Sequence, residues 1–238
     1  MRERAPAKVT LSLRITGVRP DGYHEIDAEM VTVDLCDELV FADGDGLDVV
    51  DAAGRGLPVP ADGTNLVARA LRALDRRAHV RLTKRIPSGA GLGGGSADAA
   101  AVLRWAGRAD DVALALALGA DVPFCAVGGR ARVTGVGEVV EPLPFVEQAL
   151  TLLTPPDLAC PTPAVYRAWD ELGGPTADGP NDLEPAALHV VPELARWRDA
   201  LGDATGQTPV LAGSGSTWFV EGAFEGAVAG ALVVRTLR

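Results

Sequence analysis

The segment KRIPSGAGLGGGSADAAAVL, residues 84–103, holds five glycines between positions 89 and 95, and Ser96 follows directly. With so little side chain, its backbone N–H groups can approach a ligand closely. An alanine-rich run then predicts a helix from Ser96 to Trp105, whose N-terminus adds partial positive charge. Both features suit an anion, and a phosphate above all. Two well-known nucleotide loops are tested by spacing. A P-loop needs G-x-x-x-x-G-K-[ST], and no lysine follows the last glycine here. The dinucleotide fingerprint G-x-G-x-x-G matches Gly89, Gly91 and Gly94, but it also needs an acid closing a second strand about 20 residues on. That distance falls at Asp110 and Asp111, where a helix is predicted to begin. Of 22 basic residues, only Lys8 and Lys84 are lysines. Lysine presents a compact point charge where arginine presents a planar fork, so these two positions are candidates for holding one oxygen each. Tyr23 and Tyr166 are the only two tyrosines.

The elements that must position these residues follow from periodicity. Val9, Leu11, Leu13 and Ile15 alternate as a strand, and RPDGYH carries the turn residues Pro20, Asp21 and Gly22. AEMVTVDLCDELVF reads as one or two strands. LDVVD reads as a strand leading into a Gly/Pro-rich loop. TNLVARALRALDRR has apolar residues at helical spacing, with Thr64 or Asn65 as cap, and HVRLTK is a strand stopped by Pro87. DVALALALG is a helix ended by Gly119, and RARVTGVGEVVEPL a hairpin. After Pro142–Pro144 the pattern restarts. QALTLLTP is a strand, and TPAVYRAWDELG a helix with Thr162 as cap and Pro163 in its first turn. NDLEPAAL and PELARWRDAL are helical, PVLAGSGSTWFVEG is strand, glycine turn, strand, and GALVVRTLR is a final strand. Strands and helices mix in both halves, so the class is α+β, with a boundary near residue 145: domains 1–145 and 146–238.

Composition narrows the partners. The net charge of −10 disfavours nucleic acid and anionic membranes, while a small anion can still be met locally. No apolar run approaches the ~20 residues needed to span a bilayer. The N-terminus lacks the apolar core of a signal peptide. Cys36, Cys125 and Cys160 show neither metal spacing nor even pairing, which points to a cytoplasmic setting. The oligomeric state, monomer or homodimer, is left open.

The loop PSGAGLGGGSADAA resembles the phosphate loop of the galactokinase, homoserine kinase, mevalonate kinase and phosphomevalonate kinase (GHMP) superfamily. PAKVTLSLRITGVRPDGYHEI, GADVPF, GVGE, TPAVY, NDLE and AGSGST occur in the order found in the 4-diphosphocytidyl-2-C-methyl-D-erythritol kinase family, and this resemblance covers most of the chain. It implies an N-terminal domain like ribosomal protein S5 and a ferredoxin-like C-terminal domain. The implied reaction is ATP-dependent phosphorylation of the 2-hydroxyl of the methylerythritol part, in the non-mevalonate route to isoprenoids. The alternatives are another GHMP small-molecule kinase, acting on mevalonate or homoserine, and a non-catalytic nucleotide-binding homologue.

The same resemblance implies the site. Asp121 in LGADVPF would be the base and Lys8 its electrostatic partner. ATP would lie against Pro87, Gly89, Ala90, Gly91, Leu92, Gly93, Gly94, Gly95, Ser96 and Ala97. Lys84 and Asn65 would come near the nucleotide, although a strand-end charge and a helix cap explain them equally. Tyr23 and Tyr166 would stack on cytosine, His24 would hydrogen-bond it, and Thr10 and Thr162 would contact substrate. Thr10 stands where the family usually has asparagine. The cofactors implied are ATP and magnesium (Mg2+); the ion would be held largely by phosphates and water, with Ser96 the best protein ligand. AGSGST would support the phosphate loop, and Asp182 reads as structural.

Overall fold

A computed structural model describes residues 1–54 and 56–238. The chain begins with two long strands, β1 (Arg2–Val18) and β2 (His24–Ala42), paired antiparallel through the predicted Pro-Asp-Gly turn. The first strand starts at Arg2 rather than near residue 8, and AEMVTVDLCDELVF lies within a single strand. Their length matters for the site. The β1–β2 register shifts between Pro6 and Lys8 and again between Thr10 and Ser12. These irregularities flank Lys8 and Thr10, which as i and i+2 share one face of the strand.

Three further strands and one parallel edge complete the first sheet. They are β3 (Gly46–Asp51), β4 (His79–Lys84), β5 (Arg130–Gly135) and β6 (Val139–Pro142), in the order β3-β4-β2-β5-β6 with β1 on β2. Only the β3–β4 pair is parallel. Helices α1 (Leu66–Ala73), α2 (Gly94–Trp105), α3 (Val112–Leu118) and α4 (Val122–Val127) pack together over it. The alanine run explains how α2 can lie at the centre. Ala97, Ala99, Ala100 and Ala101 are all at most 1% exposed, so β1, α1 and α4 approach its backbone closely. Helix α2 starts at Gly94, two residues before the serine, because Gly93 takes a left-handed φ of +68° and serves as its N-cap. The short α4 directly after Asp121 has no counterpart in the sequence reading; Pro123 in its first turn is the local signal for it.

Between Pro142 and Ala149 the chain leaves this sheet for a second. It contains β7 (Ala149–Leu153), β8 (Val210–Leu211), β9 (Trp218–Glu221) and β10 (Ala231–Arg235) in the order β10-β7-β9-β8, all antiparallel. That is the strand order of a ferredoxin-like sheet. One part is missing from the expected pattern: residues 222–230 form a helix-free loop where the second crossover helix would lie. Helices α5 (Thr162–Glu171), α6 (Glu184–Val190) and α7 (Leu194–Thr205) fill the first crossover. The two halves are joined by more than the linker. Thr236 bridges Val33, and the Arg235 amide donates to Asp34 Oδ1 at 2.9 Å. The class is α+β, as the sequence implied.

Candidate active site

The glycine loop closes a cleft of about 520 Å³, within the range of small-molecule sites. Lys8, Thr10 and His24 line one wall, Asn65 and the loop from Pro87 to Ser96 a second, and Asp121, Thr162, Tyr166 and Gly213 the remainder. Residues distant in sequence therefore meet at one opening.

The loop's conformation is fixed by glycine at defined points. Gly91 has φ +78°, and a Cβ there would lie 2.2 Å from the Ala212 carbonyl oxygen and 2.9 Å from that of Gly215. The Thr217 amide also donates to the Ala90 carbonyl at 3.2 Å. The AGSGST turn therefore lies directly against the loop. Gly93, at φ +68°, leaves room for Lys8, whose Cγ would sit 2.8 Å from an added Cβ. The Lys8 amide in turn donates to the Leu92 carbonyl at 3.0 Å. At the start of α2 the amides of Gly94, Gly95 and Ser96 precede the first intrahelical bond and point out of the helix. Ala97 is a correction to the expected set: its amide donates to the Gly93 carbonyl at 2.8 Å and it does not line the cleft.

The two residues expected to do chemistry are together. Lys8 Nζ is 3.3 Å from Asp121 Oδ2, although 113 residues separate them (121 − 8). The Lys8 side chain is 6% exposed and that of Asp121 33%, so the ammonium is buried and the carboxylate faces the opening. Lys8 Nζ also donates to Thr10 Oγ1 at 3.0 Å, and Thr10 is 1% exposed. Thr10 is thus the residue that holds the ammonium, a role the sequence reading did not give it. A Cβ on Gly213 would come within 3.4 Å of Lys8 Nζ, so the AGSGST turn borders the pair as well as the loop. Cys125, one turn into α4, is pushed up to about 12 by burial and by Asp121, which leaves an inert thiol.

Lys84 ends β4 and lines the cleft, but it is not a solvated charge: it is 3% exposed and its ammonium lies between the carboxylates of Asp37 and Asp98. Asp37, on β2, also accepts from the backbone amides of Arg85 and Ile86. Asp98 lies in the first turns of α2, so this buried cluster ties the strand before the loop to the helix after it. Burial, and then Asp37, push the Asp98 carboxyl up to about 8 against the pull of Lys84. Burial works against the Lys84 ammonium, but Asp98 and Asp37 outweigh it and its pKa rises. Neither Asp37 nor Asp98 was singled out in the sequence; Asp98 leaves only the mark of a lone acid in an alanine run, and Asp37, with Asp34 and Glu38 close by, leaves none.

At the far end, His24 and Tyr166 meet with ring centroids 4.8 Å apart, and Trp169 adds an edge contact to His24 at 5.5 Å. Burial and the neighbouring Asp121 raise the Tyr166 phenol. Tyr23 lies apart from them: it is 63% exposed in the β1–β2 turn and does not line the cleft. Thr162 lines the cleft but is not the cap of α5: Pro161 occupies that position, and the Thr162 hydroxyl pairs with Ser214 at 2.9 Å. Asn65 does cap α1, accepting from the Val67 amide at 2.9 Å and donating to the Pro60 carbonyl at 2.7 Å. Its side-chain oxygen and nitrogen are therefore already engaged beside the cleft. Asp182 is structural, holding Arg14 and the Ile15 and Ala177 amides.

Among the described residues no group of three or more His, Cys, Asp or Glu side chains is arranged to hold a metal ion, and no helix is long and apolar enough to cross a membrane. The Ser96 hydroxyl and the Asp121 carboxylate line the same cleft, a sparse oxygen set that fits an ion carried mainly by phosphates.

Comparison with known proteins identifies the family. The profile of the GHMP kinases N terminal domain matches residues 65–129. A 4-diphosphocytidyl-2-C-methyl-D-erythritol kinase of Paracoccus denitrificans is 39% identical, over 92% of this chain and 85% of its own. One of Cereibacter sphaeroides is 37% identical, over 90% and 87%. A crystal structure of a 4-(cytidine 5'-diphospho)-2C-methyl-D-erythritol kinase superposes with a TM-score of 0.78 at 34% identity, covering 99% of both chains. A mevalonate kinase of Methanococcus jannaschii, 12% identical with a TM-score of 0.60 over 100% and 98%, shares the fold. On identity and coverage together, the chain belongs to the 4-diphosphocytidyl-2-C-methyl-D-erythritol kinase family.

Proposed function

We propose that this small-molecule kinase phosphorylates the 2-hydroxyl of 4-diphosphocytidyl-2-C-methyl-D-erythritol with ATP, using Asp121 as the base and Lys8 as its electrostatic partner. The 3.3 Å contact between Lys8 and Asp121, beside a glycine loop rich in free amides, carries the reading. In this role Asp121 accepts the proton of the substrate hydroxyl as the oxygen attacks the γ-phosphate. The buried Lys8 ammonium, steadied by Thr10, orients the Asp121 carboxylate and faces the charge that develops on the transferring group. The amides of Gly94, Gly95 and Ser96 bind phosphate oxygens at the positive end of α2. Magnesium, when bound, supplies neutralisation of phosphate charge, and the Ser96 hydroxyl is the protein oxygen placed to reach it. His24 and Tyr166 form the wall for the cytosine ring, with Tyr23 able to reach it only by a movement of the exposed β1–β2 turn.

The test is a coupled assay with purified protein, ATP, magnesium and one of three acceptors: the cytidine substrate, mevalonate or homoserine. Turnover is expected with the cytidine substrate alone. Lys8→Arg and Asp121→Asn preserve much of the shape, and each is expected to lower kcat by at least about 100-fold. Near-normal turnover in either variant removes that residue from the mechanism.

A further inference from the structure

His24 opens β2 and Asp170 lies in the last turn of α5, 146 positions away, yet His24 Nε2 and Asp170 Oδ1 are 2.8 Å apart. The His24 side chain is only 7% exposed, while that of Asp170 is 47% exposed. Tyr166 and Trp169 flank the ring, with centroids 4.8 Å and 5.5 Å from it. Among the described residues no other group hydrogen-bonds the imidazole, which leaves Nδ1 without a protein partner in a side chain that lines the cleft.

The chemistry of this pair is directional. A carboxylate only accepts, so the nitrogen facing Asp170 must carry the proton. In the neutral imidazole the other nitrogen is then an acceptor. An acceptor at the cleft wall matches an exocyclic amino group, as on cytosine, and opposes a carbonyl oxygen at the same position, as on uracil. Without the carboxylate both tautomers are open to the ring, and the one bearing hydrogen on Nδ1 suits the carbonyl.

We propose that Asp170 is a positioning residue that fixes the His24 tautomer with Nδ1 as acceptor, and that this selects an amino-bearing pyrimidine over its carbonyl counterpart. The proposal rests on His24 facing the base, as in the function proposed above. Asp170 itself does not line the cleft, so its effect is exerted through the ring.

The experiment measures binding of cytidine 5'-diphosphate and uridine 5'-diphosphate by calorimetry near pH 8, for the full chain and for Asp170→Asn and Asp170→Glu. The asparagine amide can accept or donate, so it frees the tautomer while keeping the shape. The wild type is expected to prefer the cytidine compound by about tenfold or more, the scale of one mismatched polar contact. Asp170→Asn is expected to remove most of that preference, mainly by tighter uridine binding, and Asp170→Glu to retain part of it. Nitrogen-15 spectra of histidine-labelled protein, with His24 assigned by comparison with His24→Gln, give a second readout that a structural role would not move. The wild type is expected to show the proton on Nε2 alone, and Asp170→Asn a mixture. A wild-type proton on Nδ1, or an unchanged cytidine-to-uridine ratio in Asp170→Asn, overturns the proposal. Failure of the function itself looks different: the cytidine conjugate is then not phosphorylated, whatever the binding ratio and spectra report.

Discussion

Lys8 depends on two neighbours, and the sequence assigned only one of them to it. Asp121 is found from the GADVPF motif, but the residue that fixes the ammonium from the other side is Thr10, 3.0 Å away and buried. The alternation of β1 puts both on one face, so this contact follows from spacing once the strand is recognised. Replacing Thr10 by valine removes the hydroxyl with little change of volume. A hydrogen bond to a charged group is worth roughly 1.5–3 kcal/mol, so kcat is expected to fall about tenfold or more while KM for ATP changes little. Thr10→Asn, which returns the residue the family usually carries, is expected to keep the rate; an unchanged kcat in Thr10→Val shows that Asp121 alone orients Lys8. The aromatic end was less legible. The family resemblance pairs Tyr23 with Tyr166, whereas in the structure His24 meets both Tyr166 and Trp169 and Tyr23 lies in a solvent-facing turn. A motif marks a position but carries no direction, and the side-chain contacts of a turn are set by the element opposite it.

The glycine loop was legible because its function demands an unusual local composition. What holds it in place was not, because buried charges need only a partner somewhere in the chain. Asp37 and Lys84 are 47 positions apart, and nothing in either segment predicts the other. Their cluster with Asp98 unites the end of β4, the middle of β2 and the first turns of α2, so the loop is clamped at both of its roots. The cluster also makes a pH-dependent contribution whose sign is fixed. Asp98 is raised to about 8 in the folded chain and returns to the ordinary carboxylate range, about 4, when unfolded. The folded state therefore binds more protons between these values, and stability from this group is complete below about pH 4 and is lost as pH rises through about 8. The raised Lys84 acts in the same direction but only above the ordinary lysine range. Asp98→Asn is a permanently neutral copy of the protonated group. Urea unfolding of both proteins between about pH 5 and 9 is expected to show the wild type losing stability relative to the variant as pH rises. A difference that stays flat across that window means that Asp98 is ionised throughout it.

Across the molecule, the α+β class and nearly every element were readable from periodicity, as was the change of pattern between Pro142 and Ala149. The connection between the two sheets was not, since it is made by backbone groups in segments with no regular period. Residues 180–182 show this best. The Leu13 amide donates to the Pro180 carbonyl at 2.8 Å, and the Asp182 amide to the Leu13 carbonyl at 2.9 Å, so this segment adds to the side of β1. Between them Asn181, 1% exposed, donates to the carbonyls of Leu211 at 2.8 Å and Gly213 at 2.7 Å, and accepts from the Leu183 amide at 2.9 Å. One amide side chain therefore joins the strand bearing Lys8 to the turn that braces Gly91. Asn181→Ala strands three buried backbone groups, each costing roughly 1–3 kcal/mol when no water replaces the partner. Stability by urea unfolding is expected to fall by about 3 kcal/mol or more. The AGSGST turn touches both the loop and the Lys8 ammonium, so its release is expected to raise KM for ATP and lower kcat together, measured at a temperature where the variant remains folded. A variant that loses stability but keeps both constants shows that the loop holds its shape through the Asp37–Lys84–Asp98 cluster alone, with the second sheet serving only to cover the cleft.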